Sequence, residues 1–165
     1  MNRTSIASWR PATTYILVGG LAAILVGIVA AYIVNAFVPT VPVRIASGVY
    51  RLWVADTEAE REQGLSGVES LPGDGGLLMK FDADAKWGIW MKDMKIPLDI
   101  LWLNKDKKVV YTVKNALPEL STDLIFSPKT DARYVIELPA GGVEKAGIKT
   151  GDQAEFDETD PGRIW

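Results

Sequence analysis

The chain has no cysteine and no histidine. Those absences remove thiol nucleophiles, disulfides, Ser-His-Asp triads, imidazole bases and the usual zinc sites. Any chemistry must come from carboxylates, Lys, Arg, Tyr or hydroxyls. Basic charge is also scarce where it would matter. Set Arg3 and Arg10 aside and residues 38–165 hold 16 basic against 21 acidic residues, a formal charge of −5. Nucleic acid is therefore not an expected partner. No metal site and no cofactor motif stand out: the acidic end, Glu155, Asp157, Glu158 and Asp160, lacks the glycine-containing loop of calcium hands, and Gly141-Gly142 is followed by no P-loop Lys-Ser/Thr.

What the chain does have is one long uncharged run. Tyr15 to Phe37 holds 23 residues without a charge, broken only by Gly19, Gly20, Gly27 and Asn35. As a helix it would reach roughly 35 Å, enough to cross a hydrocarbon core of about 30 Å. A cleavable signal is the rival, with Val34-Asn35-Ala36 as a small-residue cleavage site, but signal cores run only about 7 to 15 residues. The reading is thus a single-pass anchor at 15–37. Ahead of it is a short cytoplasmic tail, 1–14; after it come a tether, 38–47, and an extracytoplasmic domain, 48–165. Arg3 and Arg10 lean the N-terminus inward only slightly, because Arg44 and Arg51 follow the span at similar distance. Gly19, Ala23, Gly27 and Ala31 make a stripe of small residues through which two anchors could pair as a homodimer.

Residues 38–47 contain Pro39 and Pro42 and show little periodicity, hence the tether. Val49 to Val54 alternates as a strand does. Thr57-Glu58-Ala59-Glu60 fits a capping box, and Gly64 fits a helix stop. Strand-like runs follow at Leu77–Phe81, Lys86–Lys92, Leu98–Asn104 and Lys108–Val113, with Lys105-Asp106-Lys107 as a polar turn. A long connection, 115–131, precedes a strand at Ala132–Leu138. A one-turn helix stopped by Gly147 and a last strand at Gln153–Phe156 complete the domain. Seven short strands and two short helices predict a mainly-β fold: a small mixed, mostly antiparallel barrel or sandwich.

The stretch Trp87 to Trp102 carries the most information. Paired as a hairpin with Lys92 opposite Asp99, it would put Trp90 on one face with Leu101, and Ile89, Met91, Ile100 and Trp102 on the other. That pairing gathers a cation, an anion and an indole at one rim. With Arg61, which can clamp a carboxylate or phosphate bidentately or merely fix its helix to the sheet, the candidate ligand-binding set is Arg61, Trp90, Lys92 and Asp99. Glu137 lies in an apolar strand, where a carboxylate is either a raised-pKa acid or, more commonly, paired with a nearby cation. Trp87, Trp90 and Trp102 either line a pocket or fill the core.

Several of these segments together resemble a known family. They are Ala55-Asp56-Thr57 with Glu60-Arg61 and Gly64-Leu65; Gly76-Leu77-Leu78-Met79-Lys80-Phe81; Trp90-Met91-Lys92-Asp93-Met94 with Pro97-Leu98-Asp99-Ile100; and Tyr134-Val135-Ile136-Glu137-Leu138 with Ala140-Gly141 and Gly147-Ile148-Lys149-Thr150-Gly151-Asp152. In this order they resemble the domain-of-unknown-function family 192, over roughly residues 49–156. The resemblance implies a small, mainly-β domain, commonly exported or membrane-anchored, with no established activity to carry over. Some members have a Cys pair before the YVIEL strand; this chain lacks it, so no metal or redox role transfers. The expectation is an anchored extracytoplasmic module that binds a small molecule or an envelope protein without turnover. The alternative is an envelope hydrolase using Asp99 or Glu137 as acid or base.

Overall fold

The computed structural model describes residues 40–120, 124–157 and 159. The expected span, 15–37, lies outside them; among the described residues no helix is long and apolar enough to cross a membrane. Those residues form nine strands and two short α-helices: β1 (Thr40–Ile45), β2 (Gly48–Ala55), α1 (Glu58–Gln63), β3 (Gly75–Ala85), β4 (Ile89–Trp90), β5 (Leu98–Leu103), β6 (Val109–Ala116), β7 (Ile125–Phe126), β8 (Ala132–Pro139), α2 (Gly142–Ala146) and β9 (Ala154–Glu155).

Seven strands form one sheet in the order β6-β5-β8-β3-β2-β1-β9, and β4 pairs with β7 apart from it. Among these strands only β2 and β3 run parallel, because α1 supplies the crossover between them. The sheet curls into a half-barrel, not a sandwich of two sheets. Its two ends are stitched where Lys108 bridges Gln153 and the Val109 amide donates to the Asp152 carbonyl at 2.9 Å.

Both faces of the sheet are apolar. Leu52, Leu78, Leu101, Leu103, Ile136 and Leu138 belong to one buried cluster, closed by α2. Leu77, Met79, Leu98, Ile100, Trp102 and Val135 belong to the other. Strand β5 sits between neighbours on both sides, and all six of its residues are buried. The period-2 alternation of the pleat therefore splits Leu98, Ile100 and Trp102 from Asp99, Leu101 and Leu103. Strands β3 and β8 approach closely at Gly76, where an added Cβ would lie 2.2 Å from the Glu137 carbonyl oxygen.

The local signals in the sequence produce the expected elements at α1. Thr57 caps the helix by accepting from the Glu60 amide at 3.3 Å, while the Glu60 carboxylate accepts from the Thr57 amide at 3.0 Å. Hydrogen bonds from Thr57, with the Asp56 amide behind them, hold the Glu60 carboxyl below its ordinary range. Gly64 ends the helix at φ 50° and ψ −133°, a positive-φ conformation open to glycine but outside the left-handed helical region. Gly147 ends α2 in the left-handed conformation proper, φ 69° and ψ 26°.

Two expectations are corrected. The stretch assigned to a tether, 38–47, contains β1, which pairs with β2 along its whole length and buries Val41, Val43 and Ile45. Its ladder to β9 reaches only Arg44 and Ile45, so Pro42 sits on an edge, where a strand tolerates proline. The hairpin between 86–92 and 98–104 does not form. Strand β5 pairs with β6 and β8, whereas only Ile89 and Trp90 are in a strand, and they pair with Phe126 and Ile125. Asp93, at φ 57°, bends the chain away before Pro97.

Candidate functional site

The second apolar face is not fully covered. Between α1 and the strands lies a cavity of about 650 Å³, floored by Met79, Ile89 and Glu137 and walled by Arg61, Phe81 and Trp87. Each lining group is placed by a local rule. Met79 and Phe81 are two apart on β3 and so share a face. Arg61 reaches from α1 to the sheet, where its guanidinium donates to the Lys80 carbonyl at 2.7 Å and to the Asp56 carbonyl at 2.5 Å. It also lies over the Phe81 ring, 5.0 Å from the centroid, and Phe81 stacks on Trp87 at 4.1 Å and 11°. Of the two readings of Arg61 the contacts show the second: it pins the helix to the sheet, and from there it also lines the cavity.

Glu137 is the unusual member. It is 3% exposed, and its Oε2 has no hydrogen-bond partner among the described residues. The register puts Leu77 on one side of it and Ile100 on the other. Burial pushes its carboxyl up to about 7. The cation that sequence reasoning expects beside it is not found among the described residues. An unpaired carboxylate held in an apolar face is costly to a fold, which makes Glu137 a candidate functional group.

Of the other candidates, Trp90 is 42% exposed at the cavity mouth, opposite Ile125. Lys92 lies over that indole, 5.4 Å from the centroid, and lines an adjoining hollow of about 430 Å³ that shares Glu62, Gln63, Ser66 and Trp90 with the cavity. The structure therefore gathers Arg61, Trp90 and Lys92 around two connected hollows. It does not bring Asp99 to them. Asp99 is 1% exposed, and its carboxylate accepts from the Asn115 amide at 2.8 Å and the Val143 amide at 2.9 Å. Gly141 offers α2 no side-chain cap, and the Asp99 carboxylate bonds a first-turn amide in its stead. The Lys92–Asp99 pair is corrected accordingly. Leu101 is buried in the opposite cluster, so Trp90 does not face it either. Ile89, Met91, Ile100 and Trp102 do share a cluster, as the alternation requires, although strand pairing does not join them directly.

The tryptophans divide. Trp87 and Trp90 line the cavity, while Trp102 is fully buried and its indole N–H donates to the Trp87 carbonyl at 2.8 Å. Among the described residues no cluster of three acidic groups could hold a metal ion.

Comparison with known proteins agrees with this architecture. Residues 41–156 match DUF192, described as an uncharacterized ACR family, and the match includes β1 from Val41 onward and every lining residue of the cavity. The chain belongs to the DUF192 family. A UPF0127 protein of Thermococcus gammatolerans is 30% identical over 115 residues, covering 67% of this chain and 72% of that one. A UPF0127 protein of Pyrococcus furiosus is 30% identical over 69 residues, or 42% of this chain and 53% of its own. Among solved structures, a candidate transcription regulator of Sinorhizobium meliloti is 29% identical with a TM-score of 0.67, covering 71% of this chain and 93% of that one. A protein of unknown function from Novosphingobium aromaticivorans is also 29% identical, with a TM-score of 0.65 over 69% and 83% of the two chains. The DUF192 fold thus recurs in chains of other sources. For this DUF192 chain, activity must be argued from the cavity.

Proposed function

We propose that this DUF192 chain is a membrane-anchored, extracytoplasmic module that binds a small molecule in the cavity between α1 and the sheet, without turning it over. The observation that carries the binding reading is the unpartnered Glu137 carboxylate at the floor of a hollow of about 650 Å³. Ligand pockets run about 300–1,000 Å³ and pair apolar walls with a few placed polar groups. Trp90 at the mouth and Arg61 in the wall are groups a ligand would meet on entry, with Lys92 beside them in the adjoining hollow. The anchor rests on the uncharged run at 15–37, and its small-residue stripe supplies a route to a homodimer. Direct contact with nucleic acid is no part of this reading, given the formal charge of −5 over residues 38–165.

Hydrolysis by Asp99 and Glu137 acting as a pair is disfavoured. Asp99 pairs with Leu138 and Ile100 with Glu137, so the two carboxylates project to opposite faces of the sheet and cannot act on one bond.

Two measurements test the reading. A thermal-shift screen of the full chain in mild detergent should find compounds that raise the melting temperature, as mass action requires, and Gln63→Trp at the mouth should abolish the shift. Compounds that stabilise that variant equally would place binding elsewhere. A C-terminal reporter that works only outside the cytoplasm should be active; activity only of a cytoplasmic reporter would reverse the orientation.

A further inference from the structure

The chemistry of the lining names a ligand class, resting on the cavity reading above. Among the described residues four charged groups line the cavity: Glu58, Glu62 and Glu137 against Arg61. The one cation is held against the scaffold, since its Nη1 donates to two backbone carbonyls and its guanidinium lies over Phe81. Lys92 lines the adjoining hollow. An incoming anion would meet three carboxylates. An incoming cation would meet a buried oxygen that lacks a donor, with apolar walls for its remaining atoms. A bare metal ion does not suit the place, because no three acidic residues converge and a hollow of this size with Leu65, Met79, Ile89 and Met94 in its lining fits an organic body.

We propose that the cavity takes a protonated organic amine, its ammonium donating to the Glu137 carboxylate and its apolar body packed against Met79, Met94 and Ile89. Glu137 is flanked by Leu77 on β3 and Ile100 on β5, so within the sheet no charge competes for it. From across the cavity it is faced by Glu58, Arg61 and Glu62 of α1. A carboxylate–ammonium bond formed out of water is charge-assisted and directional. It requires Glu137 ionised and the amine protonated. Burial holds the carboxyl up to about 7, and an alkylamine titrates near 10, so the productive pair exists between those values.

The test is calorimetric titration of the full chain in mild detergent with three probes of one shape: phenethylammonium, 2-phenylethanol and 3-phenylpropanoate. Phenethylammonium should bind at pH 8 and weaken about tenfold per pH unit below about 7. Glu137→Gln should weaken it by roughly tenfold or more at pH 8 and flatten the pH dependence, while changing 2-phenylethanol less than about twofold. Glu137→Gln is nearly isosteric, and the pH profile of the unaltered chain gives a second readout that needs no variant. Tighter binding of 3-phenylpropanoate than of phenethylammonium would overturn the amine assignment and leave the cavity reading standing. A pH dependence that survives Glu137→Gln would overturn the Glu137 contact and leave the cavity reading standing. Binding of none of the three probes would overturn both.

Discussion

Replacing Glu137 by Gln should alter the pH dependence of stability more than the structure. Burial raises the Glu137 carboxyl from its ordinary 4.5 to about 7. Between those values the folded chain keeps a proton that the unfolded chain has released. The contribution of this group is therefore fully present below about 4.5 and is lost as pH rises through about 7. Each pH unit between the unfolded and folded values is worth about 1.4 kcal/mol, so the loss by pH 8 is on the order of 3 kcal/mol, of which less than about 1 kcal/mol has accrued by pH 5. A glutamine has nearly the same shape and no charge to desolvate, leaving only the smaller cost of a buried amide. The two stability curves should diverge by about 2 to 3 kcal/mol between pH 5 and pH 8, with the Glu137→Gln variant the more stable at the alkaline end. Urea melts of the full chain in mild detergent, followed by tryptophan fluorescence at four pH values, would read this directly. Curves that run parallel across that range would show that the carboxylate is not desolvated in the fold, and the reasoning about the cavity floor would fail with it.

The other carboxylate should behave in the opposite sense. Asp99→Ala deletes an acceptor from two backbone amides and should cost about 3 to 5 kcal/mol in the same melts, with Asp99→Asn costing roughly half. A loss under about 1 kcal/mol for the alanine would remove the helix-anchoring role. Gly76→Ala should cost about 2 to 3 kcal/mol, because its Cβ would force β3 from β8 at the Glu137 carbonyl. A melt unchanged by that substitution would mean that the strands part there without penalty.

Elements announced by local chemistry were legible in the sequence. Thr57 and Glu60 meet at the capping box, Gly147 stops α2, and Leu98 to Leu103 is buried on both faces as its unbroken apolar run implies. Errors arose where long-range pairing decides. Val41, Val43 and Ile45 alternate in burial along β1, but so short a run beside Pro39 and Pro42 carries little periodicity of its own, and its pairing with β2 decides it. The β5–β6 hairpin forms across Lys105-Asp106-Lys107 as that polar turn implies, but the other neighbour of β5 is β8, where proximity in sequence points to 86–92. The site was partly legible for the same reason. Arg61, Trp90 and Lys92 come from segments that fold beside one another, whereas the place of Glu137 in the cavity depends on which side of β8 faces α1. Asp99 enters the candidate set only through the expected pairing with Lys92, whereas its actual partners, the Asn115 and Val143 amides, are set by the long-range fold.

The most direct test of the central claim uses the scarcity of methionine. The chain has four, Met1, Met79, Met91 and Met94, so methyl-labelled methionine gives four NMR signals. Met79 and Met94 line the cavity, whereas Met91 is fully buried outside its lining. Titrating phenethylammonium into the full chain at pH 8 should move the Met79 and Met94 signals saturably, leave Met1 and Met91 in place, and lose the effect in Glu137→Gln. Signals of Met79 and Met94 that stay fixed while the probe binds would contradict the account.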